Sequence, residues 1–183
     1  MHPDIAHIRI TEAEIGERVR ALGAEITRDY EGKDLTLVGV LKGATLFLAD
    51  LVRQIDIPLA FDFVAVSSYG ADTRSSGVVR ILKDLDEPVE SRHVLVIEDV
   101  MDTRSARRLS YLLDNLRSRR AASVRVCTLL AKPNRREGEI APDYRGFTVA
   151  EEYVVGYGLD YEGRYRSLPY IGVLKPEVYR KSE

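Results

Sequence analysis

Between His93 and Arg108 the chain reads HVLVIEDVMDTRSARR. Four apolar residues, Val94 to Ile97, run into two adjacent carboxylates, Glu98 and Asp99. Asp102 and Thr103 follow, and then a basic turn enters an apolar-periodic helix. A short, continuously apolar run is the pattern of a strand covered on both faces, as in a parallel sheet. In open α/β sheets the carboxyl ends of such strands present the ligand site. This stretch therefore predicts a buried strand that delivers acids to a ligand and hands over directly to a helix.

The flanking segments repeat the strand–helix alternation. Thr11 and Glu14 have capping-box spacing, and Ile15, Val19 and Leu22 follow at helical intervals, with Gly23 expected to end that helix. Leu35 to Val40 is a run of strand length, followed by a Leu41-Lys42-Gly43 turn and a helical pattern from Ala44 to Val52. Such a turn can meet an anion through its backbone, although Lys-Gly is also ordinary surface composition. Leu59 to Ser68 and Val78 to Leu82 read as strands. The polar, glycine-bracketed segment Gly70 to Gly77 between them reads equally as a lid or as a plain hairpin connection. Leu109, Leu112, Leu113 and Leu116 carry the apolar face of the helix after the opening stretch, and Arg117 to Arg120 complement its carboxyl end as a solvated face. Val124 to Leu130 is a further buried strand.

These patterns predict an α/β fold with a mostly parallel central sheet flanked by helices. The remainder, with Phe147-Thr-Val149, Tyr153 to Asp160 and an aromatic tail bearing two prolines, predicts a small β-rich hood. The expectation is one domain over residues 1–183, with a core at about 8–150 and the hood at about 151–183.

Composition narrows the partners. Lys and Arg total 27 against 29 Asp and Glu, a net charge of −2, so there is no global pull toward nucleic acid or a membrane surface. No apolar run approaches the ~20 residues that span a bilayer, and Met1-His-Pro-Asp4 lacks the basic-then-apolar layout of a secretion signal. The single cysteine, Cys127, lies inside an apolar run and is expected to pack as a small core residue. Its isolation suits a reducing compartment, and the expected location is cytoplasmic.

Chemistry concentrates at the opening stretch. Glu98 and Asp99, with little cysteine or histidine nearby, suit a hard cation, Mg²⁺ above others, held partly through a substrate's oxygens. In a strand their side chains point to opposite faces; here the chain is expected to leave the sheet, letting both reach one ligand. Cap and turn acids are the bland alternative. Asp102 and Thr103 open a helix whose N–H groups favour phosphate, and Arg104, Arg107 and Arg108 add positive charge.

Strand, EDxxDT and helix together resemble the 5-phosphoribosyl-1-pyrophosphate motif of type I phosphoribosyltransferases. Leu41-Lys42-Gly43, Ser67-Ser68-Tyr69-Gly70, Ala131-Lys132-Pro133, Tyr153-Val-Val-Gly-Tyr-Gly-Leu-Asp160 and Leu168-Pro169-Tyr170 occur in the order of the bacterial hypoxanthine (hypoxanthine-guanine) branch. The resemblance covers roughly residues 8–179. It implies transfer of the phosphoribosyl group to a 6-oxopurine, with phosphoribosyl pyrophosphate and the purine as small-molecule substrates and Mg²⁺ as cofactor. It also implies a homodimer or homotetramer.

The same resemblance implies roles for individual residues. Lys42 and Gly43 would meet pyrophosphate, often through a strained peptide in such enzymes. Glu98 and Asp99 would lie beneath the ribose hydroxyls, directly or through the metal, and Asp102 would act as general acid/base near purine N7. Thr103, Arg104 and Ser105 would cradle the 5′-phosphate. Lys132 would donate to the 6-oxo group, Tyr153 would stack on the base, and the Val154 backbone would read the ring edge. Asp160 would hold a Mg²⁺ on pyrophosphate beside Arg166, with backbone near Asp160 facing C2 of the purine. Ser68 and Tyr69 would belong to the lid.

One part departs from the family pattern. Where relatives read Asp-Thr-Gly-x-Thr, this chain reads Asp102-Thr-Arg-Ser-Ala-Arg-Arg108, about two residues longer and without the glycine that lets backbone approach a phosphate. Three readings follow: a cradle rebuilt from Ser105 and the arginines, a purine-nucleotide-binding sensor or regulatory protein with little turnover, or a transferase of shifted preference.

Overall fold

A computed structural model describes residues 1–68, 79–132 and 140–180, and of Ser68, Thr103 and Arg104 the backbone alone. Tyr69 and the Gly70 to Gly77 segment lie outside the described residues.

Strand β5 (His93–Met101) runs parallel between β2 (Leu35–Val40) and β6 (Ser123–Ala131). With β3 (Leu59–Ser68), β4 (Val79–Lys83) and β7 (Tyr144–Thr148) they form a six-stranded sheet in the order β4-β3-β2-β5-β6-β7. Every pair is parallel except β3 with β4. The continuously apolar runs are explained by cover on both faces. Leu95 and Ile97 pack with α1 (Glu12–Asp29) and α2 (Thr45–Val52), while Val94 and Val96 pack with α3 (Thr103–Ser118) through Leu109, Leu112, Leu113 and Leu116. Each such side chain fully buried contributes roughly 1.5–3 kcal/mol. Cys127 is buried in the same core, where loss of solvation pushes its thiol pKa up.

The Thr11–Glu14 capping box forms as its spacing predicts. The helix it opens does not stop at Gly23. That glycine lies inside α1 because a Cβ there would sit 2.4 Å from the Gln54 carbonyl oxygen, so its absence admits the chain leaving α2. β7 extends the main sheet, and the hood draws on both ends of the chain: β1 (Ile5–Ile10), β9 (Ile171–Leu174) and β8 (Val154–Val155) form an antiparallel sheet in the order β1-β9-β8. A short terminal helix, α4 (Pro176–Tyr179), follows.

The hood is seated on the core by backbone contact. Gly158, at φ +100°, would place a Cβ 2.1 Å from the Gly43 carbonyl oxygen, and the Tyr157 hydroxyl donates to Asp50 at 2.7 Å. Gly158→Ala is therefore expected to lower stability by more than the about 1–3 kcal/mol of a disfavoured backbone conformation. Gly163, at φ +78°, has nothing within 4 Å of a built Cβ, so Gly163→Ala isolates the backbone part. Urea unfolding of both variants measures the difference; equal losses would remove the Gly158–Gly43 contact from this account.

Candidate active site

A cavity of about 830 Å³ opens where the carboxyl end of β5 meets the start of α3 and the hood. Its wall brings together Asp99, Asp102, Ser105, Lys132, Tyr153 and Asp160, with Val154 and Arg108 also contributing.

β5 does not end at its acids. Pairing with β6 continues through Glu98 opposite Thr128 and Val100 opposite Leu130, which carries the strand to Met101. The expectation that the chain leaves the sheet at Glu98 is thereby corrected, because inter-strand pairing keeps the two carboxylates on opposite faces. Asp99 lines the cavity, whereas Glu98 points to the α3 face and is only 1% exposed. The Lys42-Gly43 turn abuts Asp99: a Cβ on Gly43 would fall 1.5 Å from Asp99 Oδ2, so glycine alone fits. The Leu41–Lys42 peptide in that turn is cis, and the Lys42 side chain is exposed.

Neither carboxylate oxygen of Glu98 has a hydrogen-bond partner among the described residues. The nearest cation is Arg108, whose Nη2 stands 3.9 Å from Glu98 Oε1, beyond hydrogen-bond reach. Burial, with Asp99 and Asp102 adding like charge, pushes the Glu98 pKa up to about 8. Burial also raises Asp99, against the Val100 N–H and Arg108.

Asp102 occupies the N-cap of α3. Its Oδ1 accepts the Ser105 N–H at 2.8 Å, and Ser105 Oγ accepts the Asp102 N–H at 2.9 Å, a reciprocal cap built on a serine. Thr103 and Arg104 form the first turn of the helix, and their side chains lie outside the described ones. Arg107 is exposed.

At the hood end, Lys132 Nζ is held by the Glu152 carbonyl at 3.2 Å, with Glu151 at 3.6 Å. Asp160 commits one oxygen to Arg166 Nη2 at 2.7 Å and the other to the Gly163 N–H at 2.7 Å, while Arg166 Nη1 donates to the Gly158 carbonyl at 2.5 Å. Tyr153 is 40% exposed and stacks at 4.8 Å on Tyr179 of α4. Tyr179 lines the cavity but carries no motif; an aromatic in a proline-bearing tail is its only sequence trace. Ser68 belongs to β3 by its backbone.

The buried Glu98 has a measurable consequence. Between pH 4.5 and about 8 the folded chain holds a proton on this carboxyl that the unfolded chain has released. Stability is therefore greatest below that interval and falls as pH rises through it, by at most about 1.4 kcal/mol per pH unit. Denaturant unfolding at pH 5.5 and 8 without divalent cations should show this slope, and Glu98→Gln should flatten it. Equal slopes in both proteins would contradict the burial.

Residues 9–162 match the Phosphoribosyl transferase domain family. The chain is 56% identical over 98% of its length to the Bifunctional protein TilS/HprT of Listeria monocytogenes, and spans 27% of the length of that curated relative. It is 52% identical to the hypoxanthine-guanine phosphoribosyltransferase of Bacillus subtilis, over 98% of both chains. A solved hypoxanthine phosphoribosyltransferase from Staphylococcus aureus superposes with a TM-score of 0.93 at 47% identity, covering 99% of this chain and 97% of that one. With its mostly parallel sheet, acid-bearing central strand and hood, this chain belongs to the phosphoribosyltransferase family, in the hypoxanthine-guanine branch.

Proposed function

We propose that the chain is a purine-salvage enzyme. It transfers the 5-phosphoribosyl group from phosphoribosyl pyrophosphate to hypoxanthine and guanine, releasing pyrophosphate and the nucleoside monophosphate. The observation that carries this reading is the single cavity wall shared by Asp99, Asp102, Lys132, Tyr153 and Asp160, to which the family pattern assigns sugar, base and pyrophosphate contacts.

In the reaction N9 of the base bonds to C1′ of the sugar, pyrophosphate leaves with the electron pair of the broken C1′–O bond, and the proton at N7 passes to Asp102. Lys132, its side chain 15% exposed and already directed by the Glu152 carbonyl, donates to the 6-oxo oxygen. A 6-amino group offers that ammonium only donors, which selects against adenine. Tyr153 supplies a ring face to the base, and the Lys42-Gly43 turn meets pyrophosphate.

Mg²⁺ suits the oxygen donor Asp99, which faces the cavity, whereas Glu98, expected as a second ligand, is buried on the opposite face of β5. Asp160 is committed to Arg166 and Gly163, and no group of three His, Cys, Asp or Glu residues poised for a metal occurs among the described residues. Asp99 would be the principal protein donor to Mg²⁺, which would supply neutralisation of the substrate's pyrophosphate charge. A second reading, a nucleotide-binding sensor, is favoured by one observation: the Asp102 carboxylate itself caps the helix start where a phosphate would sit.

Purified protein with Mg²⁺, phosphoribosyl pyrophosphate and hypoxanthine should yield inosine monophosphate and pyrophosphate. Absence of product at high enzyme concentration, alongside measurable nucleotide binding, would replace the enzyme by the sensor. Asp102→Asn should lower kcat about 10²–10⁴-fold while leaving inosine monophosphate affinity near its starting value. Lys132→Ala should raise the hypoxanthine KM by about 10–100-fold, and an unchanged KM would remove Lys132 from base recognition.

A further inference from the structure

Along one flank of α3, Asp102, Ser105 and Arg108 face the cavity, whereas Arg107 is exposed. Ser105 offers no free N–H there, since it is bound to Asp102 Oδ1. The described lining is rich in acids, with Asp99, Asp102 and Asp160 on its wall, and only Arg108 and Lys132 among the described lining residues carry positive charge. Lys132 is anchored beside Glu151 and Glu152. At the α3 end the cation on the described wall is Arg108.

Arg108 is also incompletely bonded. Its Nε is buried without a hydrogen-bond partner, and so are both oxygens of Glu98, its neighbour at 3.9 Å. A buried donor left unsatisfied is costly, and a guanidinium held close to but not on a carboxylate gains little of the bidentate geometry that makes such pairs strong. Arg108 lines a cavity large enough for a nucleotide, with Glu98 buried behind it. An anion entering against α3 would give Arg108 the acceptor it lacks.

Resting on the nucleotide reading of the cavity, we propose that Arg108 is the receptor for the 5′-phosphate of the bound nucleotide or phosphoribosyl substrate. Glu98 lies 3.9 Å behind the guanidinium without a hydrogen bond to it, so the ligand has no strong ion pair to break. The longer turn between Asp102 and Leu109 is thus compensated by a side chain from the second turn of the helix, which reaches the phosphate that the Ser105 N–H, capped by Asp102, does not. Arg108 discriminates phosphorylated from unphosphorylated ligands and leaves base selection to Lys132.

Titration calorimetry with inosine monophosphate and with inosine, which lacks the phosphate, separates this role from a structural one. Arg108→Ala should weaken inosine monophosphate binding by about 10–100-fold with inosine binding unchanged. Arg108→Lys should recover part of the loss, Arg107→Ala should match the parent, and Arg108→Gln, closer in size, serves the same purpose where the alanine variant does not fold. An unchanged preference for inosine monophosphate over inosine in the Ala and Gln variants would overturn the assignment. So would equal losses for the two ligands. Failure of the parent protein to bind inosine monophosphate at all would instead strike the nucleotide reading, and the assignment with it.

Discussion

The β5–β6 pairing is the constraint on which the site depends. Because the ladder runs on through Glu98 and Val100, the sheet places one carboxylate on each of its faces at the point where the chain turns into α3. Asp99 is delivered to the cavity and fitted against Gly43, a contact that no side chain larger than hydrogen allows. Glu98 is delivered to the interior beside Arg108, without a hydrogen bond to either oxygen. One strand thus supplies a cavity-facing carboxyl for a ligand and a buried one beside a cation. Breaking the pairing one residue earlier would abolish both.

The hood joins the core through apolar side chains, among them Val154, Leu159 and Ile171, and through close backbone contact. Gly158 rests on the Gly43 carbonyl, and Arg166 ties Asp160 to the Gly158 carbonyl, so the Lys42-Gly43 turn and the segment from Tyr153 to Asp160 meet at one junction. Tyr153, between Tyr161 and Tyr179, is oriented by aromatic neighbours from the same C-terminal region. The β5 and hood sides of the cavity therefore come from distant parts of the chain but meet through a few close contacts. That arrangement fits an active site held in position to within fractions of an ångström.

Much of this was legible in the sequence because it is written locally. The apolar runs of β2 and β3, the Thr11–Glu14 cap, the leucine face of α3 and the acids after Ile97 are features of neighbouring residues. What escaped was set by distant partners. Gly23 reads as a stop signal, yet it is a helix interior shaped by Gln54. β1 has too little apolar alternation to announce itself, since its mate β9 lies at the other end of the chain. The continuation of β5 past its acids depends on β6, and the choice of Arg108 over Arg107 as the arginine facing the cavity depends on where α3 begins. Tyr179 carries no spacing rule at all.

The departure from the family's phosphate turn is thus local rather than architectural. The longer segment is absorbed into α3 with Asp102 and Ser105 capping each other, and among the described side chains the positive charge facing the cavity from that end belongs to one a helical turn farther on. A crystal structure of the protein with inosine monophosphate tests this account most directly. The 5′-phosphate is predicted against the start of α3 within hydrogen-bond distance of Arg108, with the purine between Lys132 and Tyr153. A phosphate bound away from α3, with Arg108 still turned to Glu98, would contradict it.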